Sequence, residues 1–336
     1  MFYFYFFMDI VLTGINSSGI PHLGNYVSVI KPSIEITNTL KKKFLYFIAD
    51  YHSLTKTFNA NDRKESIYKI AAAWIACGLN PEKVIFYQQS QIPEIMEINW
   101  ILSTVVSKNL INRSHAYKDQ YINNIQKKKH SDFAITMGLY SYPILMASDI
   151  LTFNANIILV GIDQIQHLEI TKNIAKKFNN IYGKTFYIPK PKIDKNILLP
   201  GLDGRKMSKS YCNTIPIFID SKKLRNTVFK IITNSQNSKE PKSIKNCNIF
   251  NIYKFLASPK EINIMKNYYL DGIGWYDAKI ILYELLEKKF SSFREHYYSL
   301  ISNCDYLQEI LNFGSNEARK IAIPILKNVK KKIGLL

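Results

Sequence analysis

Short, continuous runs of apolar residues alternate with helical patterns along the first half of the chain. The runs Asp9–Thr13, Phe44–Ala49 and Val84–Gln88 have the length and composition of strands that are buried on both faces, and Asn156–Val160 adds a fourth. Apolar residues in Arg63–Gly78 recur at the spacing of an amphipathic helix. Strands that alternate with helices predict an α/β fold built on an open parallel sheet.

From Thr214 onward the pattern is helical throughout, without internal repeats and without a long linker. The predicted helices are Ser221–Thr233, Ile249–Leu256, Ser258–Tyr269, Trp275–Tyr298 and Asn316–Lys332. We therefore predict two domains, residues 1–213 around the parallel sheet and residues 214–336 formed by helices alone.

A glycine-containing turn, 14–19, follows the first predicted strand, and the segment Pro21–Tyr26 then leads into a helix. In an open parallel sheet this layout directs backbone N–H groups and a helix N-terminus toward an anion such as phosphate. His22 and Asn25 add neutral donors, and Gly24 leaves room for a nucleotide to approach the backbone. Such a short motif is weak by itself, because similar tetrapeptides arise by chance.

The segment Leu199–Asn213 combines two lysines with two glycines. Lys206 and Lys209 lie three residues apart, and Gly201 and Gly204 precede them, which predicts a sharply bent loop. Ammonium groups on such a loop can move onto a polyphosphate and stabilise charge on a leaving pyrophosphate. The alternative is a solvated basic turn on the surface.

The run Ser141–Ile150 predicts a helix that begins at its serine, with Pro143 in the first turn. Tyr142, Met146 and Asp149 then share one helix face. Tyrosine and methionine at this spacing are usual core residues, but a carboxylate on an apolar face needs a partner. Since an indole N–H is a donor only, an acceptor at the end of an aromatic slot matches tryptophan.

Polar residues that follow two other strands are further candidates. His52 comes after the second strand, where the alternative is a packed loop histidine. After the fourth strand, Gly161 permits close approach of a ligand, and Asp163 can accept from ribose hydroxyls or an ammonium group. Gln164 can bind the carboxylate or the ammonium group of an amino acid.

The composition describes a folded, basic protein. Apolar residues make up 47% of the chain and aromatic residues 13%, which excludes a disordered protein. The formal net charge of +19 favours contact with nucleic acid or another polyanion. The excess is spread along the chain, so coding bias toward lysine can account for part of it. The four cysteines are far apart and fit reduced thiols in a cytosolic protein.

The opening run Met1–Met8 is almost entirely aromatic. It is too short to span a bilayer and lacks the basic flank of a signal peptide. We expect it to be an apolar extension that leads into the first strand, with a membrane-surface role as the alternative.

Together these motifs resemble the tryptophanyl-tRNA synthetase family of class I aminoacyl-tRNA synthetases. Lys206–Ser210, Lys-Met-Ser-Lys-Ser, resembles the mobile ATP loop of that class, and Pro21–Tyr26 resembles its His-Ile-Gly-His motif. Tyr142–Ile150 resembles the family's Tyr-Pro-x-Leu-Met-Ala-x-Asp-Ile. Gly161–Glu169 and Asp50–Thr55 match two further family segments, Gly-Glu-Asp-Gln-x-Gln-His-x-Glu and Asp-x-His-x-x-Thr.

The chain departs from the family pattern at three positions. Asn16 and Ser17 stand where Gln-Pro is common, and Ile162 replaces the usual glutamate. The first departure weakens the expectation that Asn16 is a ligand. The second removes any contact made by the glutamate side chain, although a backbone contact can survive.

The resemblance implies specific site residues. The implied ATP site consists of Asn16, Ser17, Ser18, Gly24, Asn25, Gly161, Ile162, Asp163, Ile197, Lys206, Met207, Ser208, Lys209 and Ser210. The implied tryptophan site consists of His52, Tyr142, Met146, Asp149 and Gln164. The implied catalytic group consists of Gly24, Asn25, Lys206 and Lys209.

The resemblance also implies an activity and an architecture. A Rossmann-type catalytic domain would activate L-tryptophan with ATP, and the helical domain would bind the anticodon region of tRNA(Trp). ATP would enter as a substrate with bound Mg²⁺, and no metal site of the protein itself is implied. Members of the family are homodimers, and we expect a cytoplasmic protein without membrane segments.

Three alternatives stay open. A tyrosyl-tRNA synthetase would share the fold and the ATP motifs, but the run Tyr142–Asp149 speaks against it. A small-molecule nucleotidyltransferase would not need the long basic helical region. A non-catalytic RNA-binding paralogue would keep the fold, but the intact Lys206–Ser210 motif disfavours it. The C-terminal helices can also serve as dimer support alone.

Overall fold

A five-stranded parallel sheet organises the protein. The computed structural model describes residues 9–17, 19–55, 59–192 and 199–336, with Ser210 described by its backbone only. The strands are β1 Ile10–Asn16, β2 Lys43–Ala49, β3 Ile85–Gln88, β4 Ile157–Leu159 and β5 Lys190–Lys192. Their order across the sheet is β3-β2-β1-β4-β5, and every neighbouring pair is parallel. The predicted α/β class with an open parallel sheet is confirmed.

The strand order reverses at β1, and this reversal determines where a ligand can bind. The chain passes from β1 to β2 on one side, whereas β4 pairs with the other side of β1. Loops that leave the carboxyl ends of β1 and β4 therefore diverge to opposite faces and leave a crevice between them. Ser17 and residues 19–22 follow β1, and residues 160–164 follow β4.

Alternate residues of the central strands enter two different hydrophobic cores. On β2, Phe44, Tyr46 and Ile48 belong to one buried cluster, and Leu45 and Phe47 belong to the other. This alternation follows from the strand geometry, in which successive side chains point to opposite faces. Since helices cover both faces, the strand needs apolar residues at every position, as the sequence pattern predicts.

Helices make up most of the rest of the described chain. They are α1 Leu23–Asn25, α2 Lys31–Thr39, α3 Asp50–Ser53, α4 Ala60–Ala76, α5 Pro93–Val105, α6 Lys108–Ile111, α7 His115–Gln126, α8 Met137–Leu151, α9 Ile165–Tyr182, α10 Ser221–Phe229, α11 Asn248–Tyr253, α12 Pro259–Leu270, α13 Trp275–Ile301 and α14 Cys304–Lys332. A π-helical segment, Tyr26–Ile30, joins α1 to α2. A membrane-spanning helix, long and apolar enough to cross a bilayer, is not found in the described ranges.

Helix α8 begins five residues earlier than the sequence predicts. Its N-cap is Thr136, whose hydroxyl accepts from the Leu139 N–H at 3.1 Å. Ser141 is therefore inside the helix rather than its cap, and its hydroxyl donates to the Met137 carbonyl at 2.6 Å. Pro143 lies in the helix interior, not in the first turn. Threonine satisfies the exposed N–H groups of the first turn as well as serine does, and so the helix extends back to it.

Two further segments differ from the sequence-based expectation. The strand β5, with the sequence Lys-Pro-Lys, was not predicted, since it lacks an apolar pattern and lies at the sheet edge. Helix α14 starts at Cys304, twelve residues before its predicted start at Asn316. The polar segment 108–129 contains α6 and α7.

Helix α14 crosses the outer edge of β3. Its N-terminal half contributes Leu311 to the buried cluster on one face of the sheet, whereas Ala318 belongs to the cluster on the other face. Gly314 lies at the crossing, against the backbone of Phe86 on β3. A methyl group on Gly314 would lie 1.8 Å from the Phe86 carbonyl oxygen. Glycine is therefore required there for its small size.

Polar contacts anchor the same helix to the sheet domain. The Arg319 guanidinium donates to the carboxylate of Glu94, which is 4% exposed, at 2.9 and 3.0 Å. The Tyr68 hydroxyl donates to Gln308 at 2.7 Å. The pairing of two Arg319 N–H groups with the Glu94 carboxylate fixes both the position and the direction of the Arg319 side chain on α14. The domain boundary at residue 213 stays a prediction, and α14 packs on the sheet rather than only on the other C-terminal helices.

We expect the substitution Gly314→Ala to destabilise the protein. The added methyl group meets a backbone oxygen, which cannot rotate away, so α14 has to shift from β3. The free energy of unfolding, measured by urea denaturation, should fall by about 2 kcal/mol or more.

Gly138→Ala is the matched control, because Gly138 lies in α8 and a methyl group there would meet its nearest atoms at 3.8 Å. Alanine is favoured over glycine inside a helix by about 1 kcal/mol, so stability should stay equal or rise. Equal stability of the Gly314→Ala variant and the parent protein would contradict the close packing of α14 on β3.

Candidate active site

The turn after β1 is organised by His22. The Gly24 N–H donates to His22 Nδ1 at 3.1 Å, and the His22 N–H donates to Asn25 Oδ1 at 3.1 Å, which caps α1 from both sides. Burial, and next the charge of Lys209, lower the pKa of His22 to about 4. The ring is therefore neutral near pH 7. Because Nδ1 accepts, the proton sits on Nε2, and the Asn25 amide nitrogen remains a donor.

Gly24 brings this turn against the lysine loop. A methyl group on Gly24 would lie 2.9 Å from the His22 ring and 3.5 Å from Met207 Sδ. The preceding residue, Leu23, donates its N–H to the Ile215 carbonyl at 2.8 Å, just beyond the loop. The segments 22–25 and 206–210, which are far apart in sequence, thus lie side by side.

Unpaired polar atoms lie at the end of β1. Asn16 Oδ1 and Ser17 Oγ are buried without a hydrogen-bond partner, and Ser17 is only 1% exposed. A buried polar atom without a partner is costly, so these atoms are suited to receive a ligand. Lys209 Nζ would lie 3.7 Å from a methyl group on Gly19, which brings its ammonium group to the same turn. Ser18 lies outside the described residues.

Asn213 maintains the shape of the lysine loop. Its amide nitrogen donates to Asp203 Oδ1 at 2.7 Å and to the Lys206 carbonyl at 3.1 Å. Its amide oxygen accepts from the Ser208 N–H at 2.8 Å. The residue is only 2% exposed, so these bonds are shielded from water. One buried carboxamide thus joins the start, the middle and the end of the loop.

The two glycines of the loop have different roles. Gly204 has φ +80°, a left-handed conformation that glycine adopts without strain. Gly201 is not in that region, but a methyl group on it would lie 2.3 Å from the Asn213 amide nitrogen. The sequence-based expectation of two bending points therefore applies to Gly204, whereas Gly201 makes room for Asn213.

The two lysines differ in environment. Lys209 is half-buried, and burial lowers its pKa to about 8. Lys206 is exposed, and its Nζ lies 3.4 Å from Asp163 Oδ2. Met207 between them is buried and fixes the loop to the core. The side chain of Ser210, and the whole of Ile197, lie outside what the structure describes.

Gly161 positions Asp163. It is the N-cap of a 3-10 turn, Ile162–Gln164, that follows β4. A methyl group on Gly161 would lie 2.7 Å from Asp163 Oδ1, so the small residue allows the carboxylate to fold back. Ile162, where the family has glutamate, is 41% exposed.

The carboxylate of Asp149 is fully buried and has two partners. His52 Nε2 lies 2.9 Å from Oδ2, and the Gln89 amide donates to Oδ1 at 2.7 Å. Burial raises the pKa of Asp149, and the hydrogen bonds from His52 and Gln89 oppose that rise. A carboxylate has about four acceptor positions, and these partners use two of them. Asp149 therefore has capacity for a further donor, although the residue has no exposed surface.

A chain of hydrogen bonds connects α8, the helix that carries Tyr142 and Asp149, to the lysine loop. The Tyr142 hydroxyl lies 2.5 Å from His167 Nε2, and His167 Nδ1 lies 3.1 Å from Gln164 Oε1. Gln164 then donates to Asp163 Oδ2 at 3.0 Å, the same oxygen that faces Lys206. Met146 of the predicted tryptophan site is partly buried against the core.

Three contributors to this site were not predicted as such. His167 and Gln89 hold Tyr142 and Asp149, and Asn213 organises the lysine loop. Gln89 belongs to a Gln-Ser-x-x-Pro-Glu segment that also matches the family, which is the signal that could have identified it. In the described part of the chain, no three His, Cys, Asp or Glu side chains gather as a metal site would require.

The chain is similar in sequence to a known protein family. The family model described as tRNA synthetases class I (W and Y) matches residues 9–291. The tryptophan–tRNA ligase of Neisseria meningitidis is 44% identical over 327 residues, which cover 97% of each chain. That of Pseudomonas putida is 44% identical over 329 residues, which cover 97% of this chain and 73% of the relative.

Solved structures give the same result. The tryptophanyl-tRNA synthetase of Campylobacter jejuni, complexed with ADP and tryptophan, has a TM-score of 0.85 and 39% identity, and the match covers 97% of this chain and 100% of that chain. A tyrosyl-tRNA synthetase from Aeropyrum pernix has a TM-score of 0.68 at 15% identity, covering 92% of this chain and 90% of that chain, and so shares the fold.

We expect the affinity for ATP to fall as the pH rises through about 8, the pKa of Lys209. Burial favours the neutral amine, so the cation that attracts phosphate is present below this pH and is lost above it. The association constant, measured by calorimetry, should fall by up to about tenfold per pH unit. Lys209→Arg stays charged and should remove the pH dependence between 7 and about 10. A similar fall in both proteins would exclude Lys209 as its cause.

Proposed function

The chain belongs to the class I tRNA synthetases for tryptophan and tyrosine, and we propose on this premise that it is a tryptophan–tRNA ligase. It activates L-tryptophan with ATP and transfers it to tRNA(Trp). The observation that carries this proposal is the meeting of three features in one crevice: the capped turn at His22, the loop with Lys206 and Lys209, and the helix with Tyr142 and Asp149.

The first step is adenylate formation. An oxygen of the tryptophan carboxylate attacks the α-phosphate of ATP, a new O–P bond forms, and the bond to pyrophosphate breaks. Charge grows on the leaving pyrophosphate, and Lys206 and Lys209 stabilise it. The neutral His22 does not act as an acid or base near pH 7. Instead, it fixes the turn at Gly24 and Asn25, and the Asn25 amide nitrogen is a donor for the nucleotide.

Other residues contribute to adenylate formation because they hold the substrates in position. Asn16 Oδ1 and Ser17 Oγ, at the end of β1, take hydrogen bonds with the nucleotide. Asp163 accepts from a ribose hydroxyl or from an ammonium group. Mg²⁺ belongs to the substrate, bound to the phosphate oxygens of ATP, and neutralises part of their charge. No covalent bond to the protein forms, so proximity and charge stabilisation supply the acceleration.

The second step transfers the tryptophanyl group to RNA. A hydroxyl of the terminal ribose of tRNA(Trp) attacks the acyl carbon, and AMP leaves. The C-terminal helices bind the anticodon region, and the net charge of +19 supports the contact with phosphates. The protein acts as a homodimer in the cytoplasm, where translation takes place.

Tyrosine is the competing substrate within the family. Asp149 is an acceptor at the end of the slot, and both tyrosine and tryptophan can donate to it. The Tyr142–Ile150 run favours tryptophan, because it resembles the tryptophanyl family's Tyr-Pro-x-Leu-Met-Ala-x-Asp-Ile, a run that tyrosyl enzymes do not carry. We therefore assign tryptophan as the substrate.

The direct test is amino-acid-dependent pyrophosphate exchange with all twenty amino acids, followed by charging of tRNA(Trp). We expect exchange with tryptophan and at least about a hundredfold lower kcat/KM for tyrosine and phenylalanine. Exchange that is strongest with tyrosine would establish the alternative enzyme. The absence of exchange with any amino acid, together with retained RNA binding, would indicate the non-catalytic paralogue.

Asp149→Asn tests the basis of that selectivity. The amide retains one acceptor oxygen but loses the charge and one of the two contacts with His52 and Gln89. We expect kcat/KM for tryptophan to fall by about tenfold or more, and the preference over phenylalanine to shrink with it. Asp132→Asn, at an exposed carboxylate between α7 and α8, is the matched control and should leave both values unchanged. Unaltered selectivity in Asp149→Asn would exclude Asp149 as the indole acceptor.

A further inference from the structure

His167 is buried between the tryptophan slot and the ATP loop, and the residue has a function in neither step described above. It is 4% exposed, and both ring nitrogens have partners, Tyr142 on one side and Gln164 on the other. Burial lowers its pKa to about 4, so the imidazole is neutral. Burial also raises the pKa of Tyr142 to about 12, so the phenol keeps its proton.

The Asp163 carboxylate only accepts, so the Gln164 amide nitrogen faces it and Gln164 Oε1 faces His167, and with a neutral imidazole this fixes the direction of every hydrogen bond in the chain. The amide nitrogen of Gln164 lies 3.0 Å from Asp163 Oδ2. His167 Nδ1–H donates to Gln164 Oε1, so the proton of the neutral ring is on Nδ1. His167 Nε2 consequently accepts from the Tyr142 hydroxyl.

The chain ends on an oxygen that is shared with the ATP loop. Asp163 Oδ2 receives the Gln164 N–H and also faces Lys206 Nζ at 3.4 Å. Both Lys206 and Asp163 are about half exposed, with side chains 50% and 54% accessible. An ion pair this exposed is weak, so a nearby charge can release it.

With the directions of these hydrogen bonds fixed, acceptor positions remain unused beside the proposed tryptophan slot. The Tyr142 oxygen and Gln164 Oε1 each retain an unused lone pair, and both adjoin the same imidazole. A ligand ammonium group bound there would lie next to Asp163 and would compete with Lys206 for its negative charge. Release of Lys206 from Asp163 would make this lysine available to the phosphates of ATP.

We propose that His167 is a positioning residue that couples tryptophan binding to ATP binding, because it orients Gln164 and thereby lets the ligand ammonium group free Lys206 from Asp163. This inference rests on the proposed function for the identity of the ligand. The trigger is the ammonium group, not the indole. By linkage, ATP tightens the binding of the amine to the same extent.

Two tryptophan analogues that cannot react with ATP separate these contributions. Tryptamine has the indole and the ammonium group but no carboxylate, and tryptophol has a hydroxyl in place of the ammonium group. The affinity for Mg²⁺–ATP is measured by calorimetry with each analogue at saturation and without either. In the parent protein we expect tryptamine to tighten ATP binding by about fivefold or more and tryptophol to have no effect.

Variants at His167 test the relay itself. His167→Phe keeps a ring of similar size but neither hydrogen bond, and it should abolish the tryptamine effect on ATP affinity. His167→Asn keeps a donor at the position of Nδ1 and should retain part of the effect. A tryptamine effect of parental size in His167→Phe would overturn the proposal, as would equal effects of tryptamine and tryptophol in the parent protein.

Asp163→Asn provides a second test that does not alter the buried imidazole. The amide keeps an acceptor oxygen for a ribose hydroxyl but has lost the charge that attracts Lys206, so tryptamine should not change the affinity of this variant for ATP. A tryptamine effect that persists in Asp163→Asn would also overturn the proposal. Pyrophosphate exchange by the parent protein reports on the proposed function independently, so a protein that exchanges with tryptophan but lacks the coupling contradicts this inference alone.

Discussion

The burial of the Asp149 carboxylate is the constraint on which the site depends. A charge without exposed surface is tolerated only when it is hydrogen-bonded, and here the partners come from two other elements, His52 on α3 and Gln89 in the turn after β3. The requirement therefore draws three parts of the chain together at the carboxyl end of the sheet. Asp149 is thereby a fixed acceptor whose lone pairs are not all used, which is what the proposed recognition of a donor-only indole requires.

On the nucleotide side of the crevice, neutral side chains hold the backbone in place. His22 is held neutral by burial, so it caps a turn rather than transferring protons, and Asn213 shapes the lysine loop with a single carboxamide. At the mouth of the crevice, Lys206 and Asp163 carry charge and are about half exposed. Charges at the mouth remain hydrated enough to move, whereas the neutral framework behind them stays in place. This division suits a reaction in which the phosphates arrive, change charge and leave.

The sequence identified the features that depend on local pattern. The strands β1 to β4 are continuous apolar runs because helices cover both faces of the sheet, and Lys206–Ser210 is distinctive without any structural context. β5 was not predicted because its Lys-Pro-Lys sequence belongs to an edge, where little is buried. The start of α8 was misplaced because serine and threonine are equally good caps. His167 and Gln89 depend on contacts across the fold, and no spacing within their own segments encodes those contacts.

Helix α14, near the end of the chain, covers the exposed edge of a strand that is synthesised much earlier. It crosses the edge of β3 at Gly314, so the free N–H and C=O groups of that strand face a helix instead of solvent. During synthesis all five strands leave the ribosome before this helix exists. The nascent sheet therefore carries an open strand edge for most of translation, and such edges pair readily with other chains. The tendency of this protein to aggregate in the cell should therefore depend on the time between the synthesis of β3 and the synthesis of α14. Chaperones that protect nascent chains would act in that interval.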